Sequence, residues 1–193
     1  MKKIITTGLI AGAFVFAVAS CNQQGGAVEE AQEVNEQVAE DTQMEDQMTN
    51  MSDFMTKAAS GGMMEVELGK MAQEKGQHAD VKSFGKMMVQ DHSKANEELK
   101  SLAQRKNIVL PDSMGEKHMD HVQELREKTG AEFDRAYMDL MVEDHEEDVN
   151  MFEDAAENLE DPDVKAFASK TVPTLRQHLN RAQQIDSTLQ QRQ

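Results

Sequence analysis

The amino-acid sequence predicts an all-α protein: an up-and-down bundle of four long helices with one short extra helix, behind an export leader and a flexible tether. Three observations predict it. From Ser52 to Leu189 the apolar residues recur every three or four positions, the spacing of one helix face. No stretch alternates apolar and polar residues as a half-buried strand would. Turn signals at Gly76, Asn107 to Pro111, Thr129-Gly130 and Asp161-Pro162 cut the periodic stretch into long pieces with short joins, the anatomy of a bundle.

The chain opens with a leader. Lys2 and Lys3 are followed by an apolar, small-residue run from Ile4 to Ala19, then Val18-Ala19-Ser20-Cys21 and polar Asn22. A basic start, a short apolar stretch and small residues before a cut mark a secretory signal, here residues 1–20. The run is shorter than the roughly 20 residues that span a bilayer. Its end resembles the bacterial lipobox, in which the cysteine is acylated and becomes the new N-terminus. That resemblance implies a lipid anchor at Cys21, the only cysteine of the chain. Several acyl chains hold a protein stably where one does not. Asn22, in place of an acidic residue, points to the outer membrane and the periplasm.

Residues 21–51 form the next segment. Rich in Glu, Gln, Ala and Val, with no proline or aromatic from 22 to 50, it reads as a solvated spacer. Met44, Met48, Met51 and Met55 recur at helical spacing. Thioethers can bind copper(I), but such a stripe is more often apolar packing, and it allows the first helix to start early.

The bundle is placed at 52–187, with a tail at 188–193. Its first helix runs from about 53 to 75, with Phe54, Ala58, Met64, Leu68, Met71 and Ala72 inward. Ser60-Gly61-Gly62 either breaks it or permits close helix contact, at about 1 kcal/mol per glycine. Gly76 stops it. The second helix, about 78 to 106, carries Val81, Phe84, Met88, Ala95, Leu99 and Leu102 on one stripe. Ser113-Met114-Gly115-Glu116 has the pattern of a capping box, and starts a short helix with Met119, Val122 and Leu125. The third long helix, about 131 to 159, presents Phe133, Tyr137, Met141, Phe152, Ala155 and Leu159. Asp161-Pro162 supplies an N-cap and a proline at the first helical position of the fourth, which buries Val164, Phe167, Leu175, Leu179, Ala182 and Ile185. Pro173 inside it should kink or split it.

Composition narrows the partners. The net charge is −16, and loss of the leader with its two lysines makes the remainder more acidic. Such a chain repels phosphate backbones, so nucleic acid is excluded as a partner. With no tryptophan and one tyrosine it also lacks stacking platforms for bases. With Cys21 acylated no disulfide can form, so stability rests on packing.

Polar residues interrupt the apolar stripes at one level. Met88-Val89-Gln90-Asp91-His92 on the second helix matches Met141-Val142-Glu143-Asp144-His145 on the third. At about 100° per residue, each Asp-His pair straddles its stripe. Asp134 and Asp148 lie nearer the stripe centre of the third helix, Glu65 flanks that of the first, and His178 that of the fourth. Glu65, His92, His145 and His178 all lie mid-helix, so an antiparallel bundle brings them into one layer. Carboxylates and imidazoles on facing helices are how bundle cores hold metals. The candidate ligands are Glu65, Asp91, His92, Asp144, His145 and His178, and they suit iron, zinc, manganese or copper. Alternatively the layer is a satisfied hydrogen-bonded device that sets helix register. His118 and His121 share a face of the short helix and read as a solvated pair.

Five segments carry a resemblance to a known family. They are Glu65-Val66-Glu67-Leu68-Gly69-Lys70-Met71-Ala72, Met88 to Leu99, Phe133-Asp134-Arg135-Ala136-Tyr137-Met138, Asp144-His145, and His178-Leu179-Asn180-Arg181-Ala182. In order and spacing they resemble the bacterial domain of unknown function 4142, over roughly residues 52 to 187. The resemblance implies a ferritin-like helical bundle and an exported, envelope-located protein; it implies no activity. Di-iron bundles use Glu-x-x-His on two helices, and no Glu-x-x-His occurs in this chain. Ferroxidase chemistry is therefore not expected. Two functions compete: a lipid-tethered bundle that binds a transition metal, and a structural or interaction protein of the envelope. An enzyme ranks below both, since no nucleophile elbow or phosphate loop is present.

Overall fold

A computed structural model describes residues 26–40 and 45–191. The leader, Cys21, Asn22 and Met44 lie outside the described residues. Among those described, six helices and no strand form: α1 (Ala27–Glu40), α2 (Glu45–Lys75), α3 (Ala79–Lys106), α4 (Glu116–Glu127), α5 (Gly130–Asn158) and α6 (Pro162–Gln190). The hairpins α2–α3 and α5–α6 close on each other through α2 against α5 and α3 against α6. This is the expected four-helix bundle, with α4 as the short extra helix lying on α2 and α5. None of the described helices is long and apolar enough to cross a membrane.

The stretch expected to be a solvated spacer is different. It contains α1, which packs along α2, and α2 itself starts at Glu45. Ala31, Asn35 and Ala39 of α1 are buried. They recur every four residues, a helix face made of small and amide side chains, so apolar content does not reveal it. Asn35 clamps the helix in place: its side chain accepts from Val109 N–H at 2.8 Å and donates to the Val109 carbonyl at 2.9 Å. Met51 and Met55, from the methionine stripe, are core residues packed with Phe54.

Local chemistry sets some of the helix ends and not others. Asn107 closes α3 in the left-handed conformation, φ 55°. Asp161 caps α6, accepting from the backbone N–H groups of Asp163 and Val164. The expected capping box at Ser113 does not form. Gly115 is the N-cap of α4, with no side-chain cap bond, and Ser113 Oγ turns to Asp112. A tertiary bond has replaced the local one: Gly115 N–H donates to Ser60 Oγ of α2 at 2.8 Å. Pro173 does not split α6, which runs continuously to Gln190. Both Pro173 and Ser169, whose carbonyl it leaves without a helical donor, are exposed, so water can serve that carbonyl.

The core has two parts. One apolar cluster joins Phe54, Leu99, Leu102, Phe152, Phe167 and Leu175. The other joins Leu68, Phe84, Met88, Phe133, Tyr137 and Met141. On α3, α5 and α6 the gap between clusters is where His92, His145 and His178 fall; on α2, Glu65 sits beside Met64 at the same boundary. The predicted polar layer is thus a slab between two greasy blocks.

Glycines set the α2–α3 spacing. A Cβ on Gly85 would lie 2.7 Å from both the Ala72 Cβ and the Gly69 carbonyl oxygen, so the two backbones touch. Gly61 is different, since the nearest atom to a Cβ there is His118 Cε1 at 3.9 Å. We therefore expect Gly85→Ala to destabilise by about 1–3 kcal/mol through overpacking. Gly61→Ala should stabilise by up to about 1 kcal/mol through helix propensity. Urea melts of the two variants check this; equal shifts would contradict it.

Candidate metal centre

Each of the four long helices contributes one side chain to the slab: Glu65 from α2, His92 from α3, His145 from α5 and His178 from α6. All four are buried, Glu65 to 1% and His145 to 0% exposure. Glu65 Oε2 lies 2.6 Å from His92 Nδ1, and Glu65 Oε1 lies 3.4 Å from His145 Nε2. His178 Nδ1 lies 3.3 Å from His92 Nε2 and 3.4 Å from His145 Nε2. Phe84 packs edge-on against His145 and His178 and closes the slab from below.

The outer nitrogens decide the tautomers. His145 Nδ1 is 3.0 Å from the Met141 carbonyl, an acceptor only, so that nitrogen carries the hydrogen. His178 Nε2 is 3.0 Å from Asp91 Oδ2, again an acceptor. Neutral rings hydrogenated on their outer sides turn bare lone pairs inward. His145 Nε2 and His178 Nδ1 therefore face each other at 3.4 Å with no proton between them. Burial resists adding one. It lowers His145, with help from the other two histidines, and pushes His178 down to about 4. Burial likewise brings His92 to about 4 against the pull of Asp148 and Asp91. A cation between them would take both lone pairs; in its absence the one donor within reach of His178 Nδ1 among the described residues is His92 Nε2–H, at 3.3 Å.

The Glu65–His92 contact admits two proton positions. Burial raises Glu65 well above the usual carboxylate range, which favours a neutral carboxyl donating to His92 Nδ1. His92 Nε2–H then donates onward to His178. With the Glu65 proton moved to His92 Nδ1 and the Nε2 proton released to solvent, the third inward lone pair is freed. In that state His92 Nε2, His145 Nε2 and His178 Nδ1 form a three-nitrogen face, and their outer partners are Glu65, the Met141 carbonyl and Asp91. Outer acceptors on ligating histidines are the usual second layer of a metal site. An ion 2.0–2.1 Å from each nitrogen of a tetrahedron sets the nitrogens about 3.3–3.4 Å apart, which matches the two spacings from His178 Nδ1. Ligand atoms of the three histidines lie within 4.8 Å of one another, and so do those of a second, overlapping group, Glu65, Asp144 and His145.

Four of the six predicted ligands thus meet: Glu65, His92, His145 and His178. Asp144 stands beside Glu65, half-buried at the wall of a cleft. Asp91 does not reach the centre; it sits behind His178 as its outer acceptor, because consecutive residues on a helix diverge by about 100°. Asp134 is remote from the layer and accepts from the Gln77 and His78 backbone N–H groups at the α2–α3 turn. His118 is not a solvated residue. It is half-buried, with Nδ1 2.6 Å from Ser60 Oγ, and burial lowers its pKa. Two participants carried no usable sequence signal: the Met141 carbonyl, which is backbone, and the Phe84 floor, which reads as ordinary core.

The cleft beside Asp144 has a volume of about 570 Å³. Val28 and Glu29 of α1, Ser60 and Gly61 of α2, Lys117 and His118 of α4, and Asp144, Glu147 and Asp148 of α5 line it. On the other side of the layer a cavity of about 20 Å³ touches Glu65 and His92 among Leu99, Phe152 and Phe167. That is room for about one water molecule.

Residues 33–185 match the family described as Domain of unknown function (DUF4142). Two solved structures share the fold. One is CopM in the Cu(II)-bound form, 17% identical, with a TM-score of 0.62 over 72% of this chain and 96% of that one. The other is a DUF305 fragment from Deinococcus radiodurans, 15% identical, with a TM-score of 0.62 over 74% of this chain and 96% of the fragment. No curated protein matches the sequence.

The tautomers give a direct test. In metal-free protein, long-range proton–nitrogen NMR should show His145 hydrogenated on Nδ1 and His178 on Nε2. An ordinary imidazole gains its proton near pH 6.5. His92 and His178, lowered to about 4, should stay neutral from pH 7 down to pH 5. Either ring titrating near 6.5 would contradict the assignment.

Proposed function

The chain belongs to the DUF4142 family, and we propose that this member is a metal-binding protein that holds one divalent transition-metal ion between His92, His145 and His178. Glu65 Oε1 supplies a fourth ligand or holds a bound water. The observation that carries the reading is the pair of inward lone pairs on His145 and His178 at 3.4 Å, each locked by an outer acceptor.

Donor chemistry ranks the ions. Three imidazoles with a carboxylate suit copper(II) and zinc, and copper(II) binds such sites more tightly. The likeness in fold to CopM, a structure bearing Cu(II), supports placing copper first. Iron and manganese rank lower, because the Glu-x-x-His ligands of ferritin-like di-iron sites are missing. The interior favours sequestering an ion over turning over an organic substrate. The cavity touching the centre admits about one water-sized molecule.

The leader supports a place for this activity. We propose that Cys21 carries the lipid and that the bundle stands at the bacterial outer membrane, facing the periplasm. Cys21→Ser should move the protein from the membrane fraction to the soluble fraction. Membrane retention of that variant would remove the anchor from the account.

Metal content tests the central reading. Purified without chelator and titrated with copper(II) or zinc, the domain should bind one ion. His145→Ala should abolish tight binding, and Asp91→Asn should weaken it about 10–100-fold by loosening the His178 ring. No bound ion in wild type, with histidine variants altering stability alone, would leave the layer a register-setting structural feature.

A further inference from the structure

Glu65 has a second face. Its Oε2 is engaged with His92, but Oε1 accepts no hydrogen bond although the residue is 1% exposed. Among the described residues only four buried side-chain atoms lack such a partner, and three belong to one neighbourhood: Glu65 Oε1, Asp144 Oδ2 and Tyr137 Oη. Burial opposes ionisation of Tyr137 most, and Glu65 and Asp144 add to it, as near neighbours do. Ligand atoms of Glu65, Asp144 and His145 lie within 4.8 Å of one another. Two carboxyl groups are thus brought close enough to share a proton when no cation is present, beside an imidazole of the layer.

This neighbourhood opens outward. Asp144 and Asp148, one helical turn apart on α5, are half-buried and line the cleft that reaches solvent between α1, α2, α4 and α5. Glu147 stands at its rim, paired with Lys117 at 3.0 Å. On another side Phe84 packs edge-on against His145 and His178. An ion coming from the cleft meets carboxylate oxygens first, then Glu65, then imidazole nitrogen.

We propose that Asp148, Asp144 and Glu65 form the loading path of the histidine centre, with Glu65 and Asp144 providing a second, transient position for the same divalent ion. The inference rests on the metal-binding reading and adds to it a direction of access. Carboxylates exchange hydrated ions readily; the three nitrogens then retain what is delivered. Asp144→Asn keeps the shape and cannot become an anion toward an arriving cation, so it should slow loading and leave the final site intact.

The single tyrosine, Tyr137, makes loading visible, because the chain has no tryptophan. Quenching of its emission after stopped-flow mixing with copper(II) gives the association rate. Metal analysis after equilibration gives the stoichiometry. We expect Asp144→Asn to load at least fivefold more slowly than wild type and still reach one ion per chain. Asp148→Asn should slow loading in the same sense, and serves if the first variant does not fold. Glu98→Gln, on the α3–α6 side where Glu98 pairs with Lys170, should load at the wild-type rate. Loading of Asp144→Asn, or of Asp148→Asn in its place, within fivefold of wild type overturns the path, as does equal slowing by Glu98→Gln. Wild-type protein that binds no ion overturns the metal-binding reading itself, a result separate from either.

Discussion

The structure depends on one constraint: three imidazoles and a carboxyl group are buried at the same height in a bundle whose remaining interior is apolar. Burying a polar group without a partner costs several kcal/mol. The four long helices must therefore keep the register that gives Glu65, His92, His145 and His178 one another. The apolar clusters on either side supply the burial energy and can slide only at the expense of that layer. The touching backbones of Gly69 and Gly85 bring α2 close enough to α3 for the Glu65–His92 contact.

Within the layer, function follows from the outer partners more than from the ligands. A histidine in a core is commonly a hydrogen-bonded structural residue. Here the Met141 carbonyl and Asp91 each occupy the far side of a ring and thereby aim its lone pair inward. Glu65 is the adjustable member. On the metal-binding reading proposed above, it holds a proton toward His92 without a cation and becomes an anion toward the centre with one. This differs from the di-iron arrangement of ferritin-like bundles, where paired Glu-x-x-His motifs supply the ligands. In the single-ion site proposed above, α2 gives the layer one carboxyl group, Glu65, and the histidines come from three other helices.

The short elements outside the four-helix frame have a shared role. The start of α1, the start of α4 and the Asp144–Asp148 turn of α5 surround one cleft. Ser60 joins α2 to α4 there, accepting from Gly115 N–H and bonding His118. Asn35 holds α1 down through the backbone of Val109. These bonds link segments far apart in the chain, so a pattern search over neighbouring residues has nothing to detect. The missing capping box at Ser113 and the unexpected α1 have the same origin: a tertiary partner outbid, or supplied, what local spacing could not.

Much was legible beforehand. Apolar periodicity is local and repeats over many residues, so the four long helices, their inward faces and the turns at Gly76, Asn107 and Asp161 follow from spacing alone. Mid-helix placement of Glu65, His92, His145 and His178 sufficed to put them in one layer, since antiparallel helices of similar length align their middles. The amino-acid sequence by itself therefore determined the fold and a set of six candidates, Glu65, Asp91, His92, Asp144, His145 and His178, that contains the four residues that meet. Only the tertiary structure decided that Asp91 serves as an outer acceptor and Asp144 as a wall of the cleft. It alone decided which nitrogen of each ring faces inward and that α1 packs. The reason is physical: periodicity fixes the direction of a side chain to within a helix face, whereas a hydrogen bond requires its partner to within a few tenths of an ångström, and that precision exists only once the helices have docked.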